Sequence, residues 1–175
     1  MVACENFKAA NIPCMTGGGK DGWPIFVGAY GLIGAIYPDQ AALVEGLWTG
    51  KIKWNDAKSL DMWTKMKTYT QDMMETGASG IAGDAAPGRF ASGAVAMFPG
   101  GTWYASAIDT AQPTFKWGYI PFPGSDNADD NKYLFGKYDQ GWAIAANTAN
   151  KDASLKYLTE FSDSANYQAF ANAVG

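Results

Sequence analysis

Residues 12–36 read IPCMTGGGKDGWPIFVGAYGLIGAI. Ile12 to Thr16 is expected to form a short strand, closed by Gly17-Gly18-Gly19. Asp21 is placed to cap a helix with Trp23 and Pro24 in its first turn. That helix should run to about Ile36, and because it is apolar on nearly every side it should be buried. At twelve residues and rich in glycine, Ile25 to Ile36 is too short to span a bilayer. Strand, glycine turn and buried helix make one step of a layered α/β arrangement.

The flanking sequence repeats that alternation. Residues 3–10 read as the last turns of a helix, ended by Asn11 and Pro13. Pro38 opens a helical stretch over 39–49, and Ser59 is placed to cap the next helix. The latter's apolar positions Leu60, Trp63, Met66, Tyr69 and Met73 recur every three or four residues, with Gly77 as its stop. After the small-residue loop 78–88 come a buried strand at Ala94 to Phe98 and a helix from Trp103 to about Thr110, capped by Thr102. Strands are expected at Phe115 to Phe122 and Trp142 to Ala146. Asn150 then caps a final helix that turns Leu155, Leu158, Phe161 and Phe170 inward. No internal repeat interrupts the order.

Composition removes several function classes. The chain has 175 residues, net charge −4, a single arginine (Arg89) and scattered lysines, so no basic surface for nucleic acid is expected. Scarce arginine also disfavours carboxylate and phosphate ligands. Without histidine, the commonest general base and most zinc sites are gone. Gly17 to Lys20 fails as a phosphate loop, because Cys14 and Asp21 stand where that motif needs glycine and Ser or Thr. Asp126, Asp129 and Asp130 lack the glycine and glutamate of a calcium loop and read as solvated. No cofactor is expected. Cys4 and Cys14 read as a buried pair of thiols; a disulfide would need an oxidising compartment and close Cα atoms.

Five short motifs, in order, carry a resemblance. They are Gly18-Gly19-Lys20-Asp21-Gly22-Trp23-Pro24; Lys53-Trp54 with the amphipathic stretch to Gly77; Phe90 to Met97 followed by Gly100-Gly101-Thr102-Trp103; Trp117 to Pro123; and Gly141-Trp142-Ala143-Ile144 followed by Asn150 to Ala153. The chain resembles family 1 extracellular solute-binding proteins, the maltose-binding-protein-like class. The resemblance implies an α/β, periplasmic-binding-protein-like type II lobe, partial in extent. Residues 1–120 would be the second-lobe core, incomplete at its N-terminus. Residues 121–175 would be the crossing strand, return strand and helix belonging to the first lobe. Because family members are much longer, a fragment is expected.

The same resemblance implies non-covalent capture of a carbohydrate, with ABC transporter permease subunits in the membrane as partners and a monomer at full length. The location would be extracellular, as a cell-surface lipoprotein or in a periplasm, its targeting segment absent from this chain. Trp103 and Trp23, each beside glycines at a helix start, are candidate stacking plates for sugar faces. Asp21, Lys20 and Gly101 would accompany them, and Tyr138, Asp139 and Gln140 would offer polar groups beside the lobe crossing. Trp23 also reads as packing under its loop, and Asp21 also as a plain helix cap. Trp48, Trp54, Trp63 and Trp117 read as packing, and Trp142 as core. No enzyme activity is expected. The rival reading is a glycoside hydrolase, which needs two flanking carboxylates; the four glutamates (Glu5, Glu45, Glu75 and Glu160) all fall in stretches read as helix.

Overall fold

The computed structural model describes residues 2–132, 134–136 and 141–174. Eight α-helices are present among them: α1 (Val2–Ala9), α2 (Trp23–Ile36), α3 (Gln40–Thr49), α4 (Ala57–Thr68), α5 (Ala86–Ala91), α6 (Ala105–Thr110), α7 (Lys151–Ser162) and α8 (Ser164–Val174). A π-helical turn, Tyr69–Met73, prolongs α4.

The expected strands at 12–16 and 94–98 are reduced to isolated parallel bridges, Met15 to Met74 and Met15 to Met97. Met15 N–H donates to Met73 O at 3.1 Å, and Glu75 N–H returns to Met15 O at 2.8 Å. On the other side Thr16 N–H donates to Met97 O at 3.1 Å and Ala96 N–H to Pro13 O at 3.0 Å. The backbone of residues 13–16 therefore lies between two others. No strand is formed at 115–122 or 142–146 among the described residues. Those stretches have no bridged neighbour among the described residues, and a strand is defined by its ladder.

Around that centre sits the main core: Cys4, Cys14, Met15, Leu32, Tyr69, Met74 and Ala78. A second cluster joins Tyr37 and Leu43 to Met62 of α4, and a third joins Ala91 to Tyr104 and Ile108. Cys4 and Cys14 are disulfide-bonded, with Cα atoms 4.9 Å apart. This corrects the expectation of free thiols: the turn after α1 folds that helix back onto the central segment.

Other local expectations are also corrected. α2 is buried on one face only, at Pro24, Gly28, Ala29 and Leu32, while Phe26 is exposed and Tyr30 stacks on Phe135 at 4.4 Å. Ser59 is not a cap. Asp56 precedes α4, and Ser59 lies fully buried within it, its Oγ 2.7 Å from the Tyr37 hydroxyl. That partner lets a serine face inward and rotates the buried stripe to Ser59, Met62 and Tyr69. Leu60 and Trp63 are left outside, with Trp63 Nε1 donating to Trp54 O at 3.1 Å. Thr102 opens a 3-10 turn rather than capping a helix, and Asn150 makes no side-chain cap bond. Leu155 and Phe170 are exposed rather than inward, and Trp142, expected in the core, is 68% exposed with its edge on Phe161. Among the described residues α7 packs chiefly on α8 with Trp142–Ala145 alongside, which leaves part of its apolar stripe uncovered.

The one arginine serves the fold. Arg89 Nε and Nη2 donate to the two carboxylate oxygens of Glu75 at 3.0 and 2.5 Å, tying α5 to the Met74 bridge. The Glu75 side chain is 9% exposed and that of Arg89 38%. Truncating Arg89 strands a buried carboxylate, whereas truncating Glu75 frees a cation that water can reach. Arg89→Ala is therefore expected to cost about 2 kcal/mol and Glu75→Ala about half as much, as read by urea unfolding.

Candidate functional site

Three loops converge at the N-termini of α2 and α6. The first, Gly17 to Gly22, lies on the second, Ala78 to Asp84. Gly19 N–H donates to Ala78 O at 3.2 Å, and Lys20 N–H to Ile81 O at 3.1 Å. A methyl on Gly18 would fall 2.4 Å from Gly83 Cα and 2.6 Å from Pro24 Cγ, so only glycine allows the loops to touch there. Gly18→Ala is expected to destabilise the protein by about 2 kcal/mol, as read by urea unfolding.

Asp21 does not cap α2. Gly22 takes that position without a side-chain bond, and the Asp21 carboxylate instead accepts the Gly83 N–H at 2.6 Å, across 62 residues of sequence. Asp21 thus clamps the two loops while its remaining oxygen stays free to accept. Lys20 stands exposed beside it.

The third loop is Pro99 to Trp103. Gly101 precedes a 3-10 turn, Thr102–Tyr104, that feeds α6. The Trp103 indole folds back over Gly101: a methyl there would sit 1.9 Å from the ring. The structure brings Trp103 and Trp23 together, with ring centroids 6.3 Å apart and planes at 48°. Trp23 is 47% exposed and Trp103 49%, so each indole is anchored on one side and open on the other. Tyr104 lies beneath, 5.7 Å from the Trp103 ring.

Residues that sequence reasoning did not select also belong to this rim. Burial raises the Tyr104 phenol above its ordinary value; a hydrogen-bonding contact from Trp103 pulls it part of the way back, and the charges of Asp84 and Asp21 push it up further. Tyr119 is pushed up to about 12, mainly by burial and secondarily by Tyr104. Both phenols are therefore neutral over the physiological range, able to donate and accept. The Tyr119 hydroxyl donates to Gly100 O. Nothing in the small-residue stretch around Asp84 marked it, because its place depends on loop-to-loop packing. Tyr119 sat in a stretch read only as a strand.

Tyr138, Asp139 and Gln140 lie outside the described residues. Among the described residues no group of three or more Cys, Asp or Glu side chains is arranged to hold a metal ion, and no helix is long and apolar enough to cross a membrane. A separate shallow groove of about 470 Å³ lies between Trp142–Ala145 and α7. Its lining has no charged group and only two hydroxyls, Thr148 and Ser154 (Tyr157 adds a phenol), so it offers little to orient a polar solute.

The arrangement is two half-open indoles rimmed by carboxylates, phenols and loop backbone. Such a surface offers apolar plates and hydrogen bonds to a neutral solute. No curated protein sequence matches the chain. Among solved structures it is similar to a chitin oligosaccharide binding protein, at 32% identity and a TM-score of 0.55. That likeness covers 63% of this chain and 28% of the other, so the matched part spans somewhat over a quarter of that protein's length. The family described as bacterial extracellular solute-binding proteins matches residues 3–175, almost the whole chain. With that coverage, the chain belongs to the bacterial extracellular solute-binding protein family.

Proposed function

We propose that this chain contributes to the capture of a carbohydrate, an oligosaccharide of the chitin type being the first to test, for delivery to an ABC importer. The observation that carries the reading is the Trp23–Trp103 pair, half-exposed and 6.3 Å apart at two helix starts. The axial C–H face of a pyranose lies on an indole, and its hydroxyls reach outward to polar groups. Asp21 and Asp84 are placed to meet them, and Lys20 extends the polar rim. Gly101 contributes by its small size, which admits the folded-back indole. Tyr138, Asp139 and Gln140 complete the proposed ligand set. The similar structure is named for binding a chitin oligosaccharide, which supports this choice of solute.

The chemistry is reversible binding without bond cleavage. In this reading the α/β lobe is built from residues 1–120, and residues 121–175 form a crossing and return segment to a first lobe. Closure of two lobes buries the solute, and a membrane permease reads the closed form. The protein works as a monomer, outside the cytoplasm, held by lipid or free in a periplasm. The disulfide between Cys4 and Cys14 supports an oxidising location.

The test is incubation of the full-length protein with chitin oligosaccharides, followed by calorimetry and by chromatography of the sugar. Saturable binding with intact oligosaccharide is expected. Shortened products would establish a glycoside hydrolase instead, and absence of binding across a panel of oligosaccharides would overturn the carbohydrate assignment.

A further inference from the structure

Three side chains of the stretch after α6 contact α5, α6 and the loop that follows residue 98. Phe115 meets Phe90 edge-on at 5.5 Å, Trp117 Nε1 donates to Asp109 Oδ1 at 3.0 Å, and the Tyr119 hydroxyl donates to Gly100 O. The first two contacts hold the segment against α5 and α6. The third reaches past them to the loop that carries Trp103.

Gly100 and Gly101 form the least restrained pair of residues ahead of Trp103, and any rotation about them swings the indole. Within that pair the Tyr119 hydroxyl takes the Gly100 carbonyl. From the other side, the Gly100 backbone is crowded by the rings of Phe98 and Tyr104, where a methyl would sit 2.8 Å from each. Gly100 is thus bonded at its carbonyl by a phenol and flanked at its Cα by two packed rings. We propose that Tyr119 is a positioning residue for solute binding, fixing through Gly100 the tilt at which Trp103 faces Trp23. The proposal rests on the reading of the tryptophan pair as the solute platform.

A double-mutant cycle in the full-length protein tests it, with a chitin oligosaccharide as probe and calorimetry as readout. Tyr119→Phe removes only the hydroxyl. It is expected to weaken binding by about 3–10-fold, the range of one lost hydrogen bond. In a Trp103→Ala background the same change is expected to do almost nothing, because the ring it positions is gone. Equal losses in both backgrounds would overturn the proposal, since Tyr119 would then act on the solute directly or on the fold at large. No loss in the native background would also overturn it. If Trp103→Ala alone binds as tightly as the native protein, the platform reading fails, and the positioning role with it.

Discussion

Replacing Trp103 with alanine is expected to weaken oligosaccharide binding by about 10–100-fold, while leaving the unfolding free energy within about 1 kcal/mol of native. Burying an aromatic face against a ligand contributes about 1.5–3 kcal/mol, and each 1.4 kcal/mol is a factor of ten in affinity. The stability term is small because Trp103 is 49% exposed and stands at a helix start rather than in the core. Its neighbours Trp23 and Tyr104 retain their own anchoring contacts with the glycine loop and with Ile108. Trp103→Phe keeps a plate of smaller area and should fall between native and alanine. Calorimetric titration alongside urea unfolding separates the two quantities. A parallel loss of affinity and stability would mean that Trp103 is a structural residue.

The second large effect is on folding. Replacing Cys4 and Cys14 together with serine, or reducing the native protein, is expected to lower stability by about 3 kcal/mol. That is the chain-entropy value for a short closed loop, here with a sequence separation of 10. For a chain of this size it amounts to a fall in Tm of about 6–12 °C. Both sulfurs lie in the main core, beside Met15, through which the two bridges run. Loss of the link should therefore also loosen the base of the glycine loop that carries Asp21 and Trp23. Scanning calorimetry with and without reductant checks the prediction. An unchanged Tm would show that the thiols are unpaired in the native protein.

What the sequence disclosed and what it withheld follow from the range of the interactions involved. Trp23 and Trp103 were legible as site candidates because each stands beside glycines at a helix start, a local pattern. Their closeness to one another was not, since 80 positions separate them and only the packing of three loops brings the rings together. Asp21 illustrates the limit clearly. Its position two residues before a helix fits a cap, yet its carboxylate bonds Gly83, which no local rule selects. Ser59 was misplaced for the same reason: a buried hydroxyl needs a partner, and Tyr37 lies 22 residues away.

The helix α2 was expected close to its observed bounds, and α4 was expected as a helix but between Ser59 and Gly77 rather than over Ala57–Thr68 with its π turn to Met73; apolar content and 3.6-residue periodicity are local properties, and the exact ends are not. The strands were not recovered as strands. A stretch such as Ala94 to Phe98 has the composition of one, but only Met97 finds a bridge, and 115–122 finds none among the described residues. Pairing is a property of two segments, and one segment's composition does not settle it.

The central claim is that the tryptophan pair receives the solute. A crystal structure of the full-length protein with a chitin oligosaccharide tests it most directly. A pyranose ring is expected on the open face of Trp103 or Trp23, at about 4 Å, with hydroxyls turned toward Asp21 or Asp84. An oligosaccharide seated elsewhere, such as the groove beside α7, with both indoles bare, would contradict the account.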